Sequence, residues 1–444
     1  MNLNIENKKK IYGWARHDYS LSYFNELDNI EKIDEAFNYA IKKNLKVALR
    51  ANGKSYGDNS LNDNNIILRH TKFDKILNFD TSKGIISVQS GITLDKVINY
   101  TVPLGWIFHV CPAHRYITVS GSLSNNVHGK NTHKNKIGFY VKEIKLLGLN
   151  KKILKCSKKK NKKAFSLTIG GFGLTGIILT VSLQLKKIRS YYLDQKITEF
   201  NTYKEFYTVS KNVGNYEYSV SWIDNFSMYK FQGLNYLAKH SNIKKNNLSF
   251  FNDNQIGLIS LLISKLIVKS YFFSRMINII YRNYKKYFYQ KLCNFNEIFY
   301  PQDYFTDWNK LYGKIGFFQI QFIIPENKFE KVLVEISSFL KKTKTFSTFV
   351  VVKKFNEKGK YLNYSGTGYS ISFDFKIDNN FNIIKFFFNS LINKYNLKVN
   401  FSKDLIVKKS NAFNYPEFKL FKKEISLLNV KKKINSLFSK RLEI

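Results

Sequence analysis

The chain has 444 residues, 44% of them apolar, which is long enough for two or three domains with a sizeable core. Its net charge is +40, from 72 basic residues (only eight of them Arg) against 32 acidic ones. Lys, Asn, Ile, Phe and Tyr are residues of AT-rich codons, so much of this charge reflects genomic bias. The remainder favours anionic surfaces such as a membrane leaflet, while the absence of a reader motif argues against a nucleic-acid partner.

The N-terminal stretch carries no apolar run, so no signal peptide is expected and the protein is placed in the cytoplasm. Apolar residues at helical spacing predict a helix over 29–43, and alternation predicts a strand over 45–51. "NGKSYGDNS", 52–60, is a turn-rich loop. A strand over 84–91 and a helix over 93–105, ended by Pro103 and Gly105, come next. "NNVHGKNTH", 125–133, holds two histidines five apart, but no partner Cys and no H-x-x-E-H pattern, so no metal is expected there. Two strands, "VKEIKLLG" and "KKILKCS", precede a lysine-rich loop over 157–163. The run 165–188 sets a glycine cluster between apolar stretches.

Beyond 190 the chain is richer in aromatics, with strand-like pieces at 316–325 and 368–377. Gln319 and Gln321 share one face of the first, two amides on an otherwise apolar strand. Residues 256–290 are apolar and aromatic but broken by Lys265, Lys269 and Arg275. The uncharged stretches are shorter than the ~20 residues a bilayer span needs. The segment reads either as an amphipathic helix on a membrane surface or as a helix packed on the core. Cys111, Cys156 and Cys293 are too few and too scattered for a disulfide framework or a zinc site, and fit a reducing compartment.

Three loops carry the glycines: 53–57, 120–129 and 170–176. Glycine lets a backbone approach a ligand closely. No Walker pattern is present, and "GGFGLTG" is not the first turn of a βαβ unit, so a cofactor wrapped by several loops is the remaining reading.

The runs "RANGKSYGDNS", "ISVQSGITLDKVINYTVPLGW", "PAHRYITVSGSLSNNVHGKNTH" and "TIGGFGLTGIIL" resemble the FAD-binding domain of the vanillyl-alcohol-oxidase flavoprotein family. The resemblance extends from "YGWAR" through "SWIDNF", "DWNKLYGKIGFFQIQFIIP" and "FSKDLIVKKSNAF" to the terminal "SKRLEI". It implies an α+β fold in two lobes. Residues 1–190 would form the FAD-binding, PCMH-type domain, 191–399 an antiparallel-sheet substrate or cap domain, and 400–444 a return to the FAD lobe.

The resemblance also implies site residues. Gly53, Lys54, Ser55, Tyr56, Gly57 and Asp58 would wrap the FAD pyrophosphate, with backbone N–H groups suited to an anion. Pro112, Thr118, Ser120, Gly121, Ser122 and Asn125 would form a second wall, and Gly171, Gly176 and Ile177 a third. His128, Gly129 and Asn131 would lie at the flavin ring, with Lys130 toward the substrate. Tyr56, His128, Gln321 and Lys403 would carry the chemistry, and Lys130, Trp222, Lys354 and Asp374 would line the substrate site. Lys403 would also touch the flavin, acting as a base only if burial or nearby cations lowered its pKa. The first loop has no His, so FAD is expected without a covalent bond. The chain departs from the family at Ala113 and His114, where Gly-Thr is usual, and at Ser120 for Gly; it departs from some members of the family at Ile320, where they carry Tyr, and at Ser372, where they carry Cys.

The implied reaction oxidises a secondary sugar hydroxyl to a ketone on a polyprenyl-phosphate sugar, in cell-envelope precursor synthesis. A separate short-chain reductase would complete an epimerisation, and the protein would sit peripherally on the inner membrane. An aldonolactone oxidase, or a non-catalytic lipid- or polyanion-binding protein on the same scaffold, is the alternative.

Overall fold

Asn29 and Thr93 start the first two helices by the same chemistry. Each side chain accepts a hydrogen bond from the backbone N–H three residues on. The helices Ile30–Lys42 and Leu94–Thr101 follow. The second tightens into a 3-10 turn over Val102–Leu104, where Pro103 breaks the α-helical ladder and Gly105 (φ 80°) ends it. The computed structural model describes residues 6–131, 135–148, 152–243, 268, 270–304, 308–429 and 433–444.

The architecture is α+β in two lobes. The first lobe holds two sheets. One has four strands, in the order Lys9–Tyr12, Tyr19–Glu26, Ile66–Arg69, Val47–Arg50, with parallel pairing on both sides of Ile66–Arg69. The other is antiparallel and centres on the long strand Ile177–Lys187, flanked by Ile85–Gln89 and Val141–Leu147.

The second lobe is an eight-stranded antiparallel sheet. Its strand Phe317–Ile324 is buried at all eight positions, because both faces are covered. Phe318 and Phe322 meet Phe381 and Phe388 of the helix Phe381–Tyr395, at 5.2 and 6.0 Å between ring centroids. The alternate residues turn toward the first lobe, where Phe317 lies 5.6 Å from Tyr56. Burying each such phenyl contributes roughly 1.5–3 kcal/mol, so this strand both holds the lobes together and carries polar side chains into the space between them.

The chain end returns to the first lobe. Lys398–Val399 pairs with Phe317–Ile324, and Ile434 then bridges to Val47 of the four-stranded sheet.

Two strands of the large sheet, Tyr192–Phe200 and Gly233–His240, lie in sequence that carries no clean period-2 signal, whereas the third, Tyr218–Ile223, alternates as "YSVSW". Within 256–290 the structure contains the helix Tyr271–Tyr287; residues 256–267 and 269 lie outside the described residues. Only Ser274 of that helix is buried. Among the described residues no helix is long and apolar enough to cross a membrane, and no group of three or more His, Cys, Asp or Glu is placed to hold a metal ion.

Candidate active site

One pocket opens between the lobes, and its first wall is backbone. Gly53, Lys54, Ser55 and Tyr56 line it along one loop. Gly53 has φ 62°, and a Cβ there would lie 2.1 Å from the Arg50 guanidinium. A Cβ on Gly57 would lie 2.2 Å from the Asp404 carbonyl oxygen, so this loop is pressed against the segment that carries Lys403. Lys54 Nζ sits 3.5 Å from the centroid of the Trp14 ring.

The second wall contains Pro112, Thr118, Ser120, Gly121 and Asn125. Thr118 Oγ1 accepts from Gly121 N at 3.0 Å, and Asn125 Nδ2 donates to Gly121 O at 2.9 Å. The Ser120 hydroxyl meets His70 Nε2 at 2.9 Å, and burial lowers the His70 pKa to about 4, so this imidazole is neutral. Gly176 completes the wall, together with Phe172, Gly173 and Ile178.

The facing wall is built of side chains. His128 Nε2 lies 3.4 Å from Gln321 Oε1, which also accepts from Asn400 Nδ2 at 2.8 Å, while Gln321 Nε2 donates to Ser370 Oγ at 2.9 Å. Burial, then Lys353 and Lys403, hold the His128 pKa well below its ordinary value. Lys353 Nζ donates to Gly129 O at 3.0 Å. Burial lowers the Lys353 pKa well below the ordinary lysine value, with Lys403 and Lys130 adding to the effect. Lys403 is lowered to about 8 by burial, against the pull of Asp374, and Lys130 to about 7, also by burial. Asp374 accepts from Gln319 Nε2, and burial raises its carboxyl to about 7. Tyr56 is wedged between Trp308 and Phe317, with Lys403 Nζ 5.7 Å from its ring centroid. The result is a buried set of amines beside a neutral imidazole, which suits an anion or a ring that gains negative charge.

Not every residue named from the sequence reaches this pocket. Strand alternation puts Lys353 on the pocket side and Lys354 opposite Tyr369 on the other face, so Lys353 takes the place expected of its neighbour. Trp222 packs on Tyr281 at 5.2 Å, away from the pocket. Asp58 is turned onto Arg441. Ser122 caps back to Val119 O at 2.8 Å inside its own helix, and Asn131 Nδ2 donates to His109 O at 2.7 Å. Gly129 packs on Cys111 and Gly171 on Leu167. Ile177 points away from the pocket while Ile178 lines it. Lys130 Nζ donates to Phe299 O at 3.1 Å and also contacts Ile298 O. Asp374 and Gln321 are buried directly behind the lining residues. His133 lies outside the described residues. Sequence reasoning did not single out His70, Asn400 or Tyr364, isolated residues without a motif, nor Trp308, although it lies in the quoted run "DWNKLYGKIGFFQIQFIIP".

Four buried polar atoms on pocket-lining residues have no partner within the described chain: Asn59 Oδ1, His70 Nδ1, His114 Nε2 and Asn125 Oδ1. Such atoms cost roughly 1–3 kcal/mol each unless a ligand satisfies them. A flavin with its ribityl hydroxyls and diphosphate supplies that many polar groups, so FAD fits these walls.

Comparison with known proteins agrees. The family described as FAD binding domain matches residues 22–157. Decaprenylphosphoryl-beta-D-ribose oxidase of Mycolicibacterium smegmatis is 26% identical over 386 residues, covering 83% of either chain. L-gulonolactone oxidase of Bos taurus is 26% identical over 197 residues, 44% of either chain. The mitochondrial L-galactono-1,4-lactone dehydrogenase of Arabidopsis thaliana is 22% identical over 180 residues, 40% of this chain and 29% of its own. The loop-built cofactor wall, the unpaired polar atoms along it and these relatives converge: the chain is an FAD-linked oxidoreductase with an FAD-binding domain over residues 22–157.

Proposed function

We propose that the chain oxidises a secondary hydroxyl on a polyprenyl-phosphate sugar to the ketone, as a step in making a cell-envelope polysaccharide precursor, with FAD held non-covalently. One observation carries this reading. Lys353 and Lys403 are buried amines that both line the pocket, with Lys130 buried nearby; burial lowers the pKa of each, and at Lys353 the charges of Lys403 and Lys130 add to the effect. Burying like charges together is unfavourable unless an anion joins them, and a phosphoryl sugar beside a reducible ring is such an anion. The likeness to an oxidase whose name specifies a decaprenylphosphoryl ribose supports the same substrate class.

FAD accepts the electron pair when bound. In this reading Lys403, beside Tyr56, supplies positive charge at the ring and hydrogen-bonds the reacting hydroxyl. The neutral His128, held by Gln321 behind it, orients the sugar, Lys353 takes the phosphate, and Asp374 holds Gln319 and offsets Lys403. Lys354 and Trp222 face elsewhere and have no part in it. The ketone is then a substrate for a separate short-chain reductase, which would complete the epimerisation.

The reading extends to where the protein works. The helix Tyr271–Tyr287 exposes Phe272 at 69%, Ile280 at 54% and Tyr287 at 68%, with Lys285 and Lys286 in its last turn. Apolar rings beside cations suit a peripheral contact with anionic lipid at the inner membrane, from which a prenylated substrate is drawn. Liposomes containing anionic lipid should float the protein, and changing Phe272, Ile280 and Tyr287 to Ser should reduce flotation; equal flotation would show that this helix is not the contact.

The function itself is tested by anaerobic bleaching of the flavin with a panel of polyprenyl-phosphate sugars and free sugar lactones. Bleaching by the lipid-linked sugars supports the proposal. Bleaching by lactones alone moves the protein to lactone oxidation, and a yellow protein bleached by neither is a binder. Acid precipitation should release all the yellow colour to the supernatant; colour in the pellet would mean a covalent link.

A further inference from the structure

The terminal "SKRLEI" belongs to no wall of the pocket, yet Arg441 joins the two loops on which the pocket depends. Its Nε and Nη2 donate to the two carboxylate oxygens of Asp58 at 2.9 and 3.0 Å, and its Nη1 donates to Asp404 Oδ2 at 2.8 Å. Asp58 ends the loop that lines the cofactor side, and Asp404 directly follows Lys403. The Asp404 side chain is fully buried, and its other oxygen accepts from Ile406 N and Val407 N, each at 2.8 Å. The two loops touch directly as well: Tyr56 N donates to Ser402 O at 3.3 Å and Asn59 Nδ2 to Phe401 O at 3.3 Å. The helix Leu437–Leu442 anchors the arginine through the buried Phe438 and Leu442.

The chemistry of the junction is specific. A planar guanidinium can hold one carboxylate with two parallel hydrogen bonds and a second carboxylate with the remaining nitrogen; an ammonium cannot. Burial opposes its charge, but Asp404 and Asp58 outweigh that and raise its pKa. Nearby Asp18 shows how crowded with carboxylates the junction is, since burial and then Asp58 push its carboxyl up to about 6.

We propose that Arg441 is a positioning residue that couples cofactor binding to the placement of Lys403, by locking the cofactor loop and the lysine loop into one register. The proposal rests on the reading that the loop at 53–58 holds FAD and that Lys403 faces its ring. Neither loop can then shift without the other, so loosening either arm should degrade both properties.

The test uses the full-length protein and two readouts that need no sugar. One is the FAD dissociation constant. The other is the affinity of the bound flavin for sulfite at saturating FAD, which reports positive charge at the ring. Arg441→Gln should weaken both, each by about tenfold, within the range of coupling energies between contacting residues. Arg441→Lys should restore the melting temperature but not the two affinities. Asp58→Asn and Asp404→Asn, each cutting one arm, should likewise weaken both; these variants decide the matter if Arg441→Gln does not fold. The coupling is overturned if Asp58→Asn affects only FAD binding while Asp404→Asn affects only sulfite, or if folded Arg441→Gln matches the wild type. Lys403→Ala serves as the control: unchanged sulfite affinity there would refute the placement of Lys403 at the ring, not the coupling through Arg441.

Discussion

The two walls of the pocket are made in opposite ways. The cofactor side is loop backbone, glycines and short hydroxyl side chains, with its polar atoms offered by turns and by the start of a short helix. The cap side is long side chains standing on strands, buried and mutually perturbing: Gln321, Lys353, Asp374, and Lys403 just past the sheet edge. A backbone wall tolerates replacement of side chains, which explains how Ser120 can occupy a position where the family usually has Gly: its hydroxyl is absorbed by His70. A side-chain wall has no such tolerance, because each group sets the charge of its neighbours. Grip on the cofactor and chemistry on the substrate therefore separate for side-chain changes that leave both loops in place, and such mutations should sort by wall.

The sharpest contrast is expected at Lys403. Lys403→Ala should keep FAD and lose flavin reduction by roughly 10²–10³-fold, the range for removing one stabilising group from a buried site. Anaerobic stopped-flow absorbance measures it, and an unchanged rate would make the lysine a bystander. Gly57→Ala should strike the grip on the cofactor as well. Its methyl must displace the Asp404 carbonyl, so FAD binding should weaken about tenfold or more and stability should fall by about 1–3 kcal/mol. Fluorescence titration with FAD and denaturant unfolding would show both, and a variant that binds FAD normally would mean the two loops are not in firm contact.

Next in size is a pair of neighbours. Lys353→Ala should raise KM about tenfold, whereas Lys354→Ala, on the other face, should stay within about twofold. Equal effects would deny that strand register decides which lysine meets the substrate.

The smallest effect concerns pH. The Asp374 carboxyl is raised from 3.8 to about 7, so between those values the folded protein keeps a proton that the unfolded chain releases. Its contribution to stability is complete below 3.8 and is lost as pH rises toward 7. Asp374→Asn should therefore flatten the fall in stability across that window, as followed by denaturant midpoints at successive pH values. An unchanged slope would mean that Asp374 titrates normally.

The same division governs what the sequence reveals. The cofactor wall is legible because its determinants are local. Gly53, Gly57 and Gly176 lie in runs whose order and spacing announce loops, and the Asn29 and Thr93 caps mark the helices beside them. The cap wall is not legible to the same degree, because it depends on register. Nothing in "VVVKKF" says which lysine faces inward until the strand is paired with Gly366–Lys376. The twin amides Gln319 and Gln321 were visible, since alternation alone puts them on one face, but their partners Asp374 and Asn400 lie far along the chain. His70 is isolated in "LRHTKF", and its role depends on a contact with Ser120 fifty residues away. Trp222 shows the converse: a resemblance names it, but Tyr281 holds it outside the pocket.

The central claim is that the buried amines of the cap wall read an anionic sugar. Its most direct test is the anaerobic rate of flavin reduction by a polyprenyl-phosphoryl pentose, compared with the same pentose on a neutral lipid lacking the phosphate. The account predicts rapid bleaching by the phosphorylated substrate and little by the neutral one, with the difference shrinking in Lys353→Ala. Equal bleaching by both substrates in the wild type would contradict it.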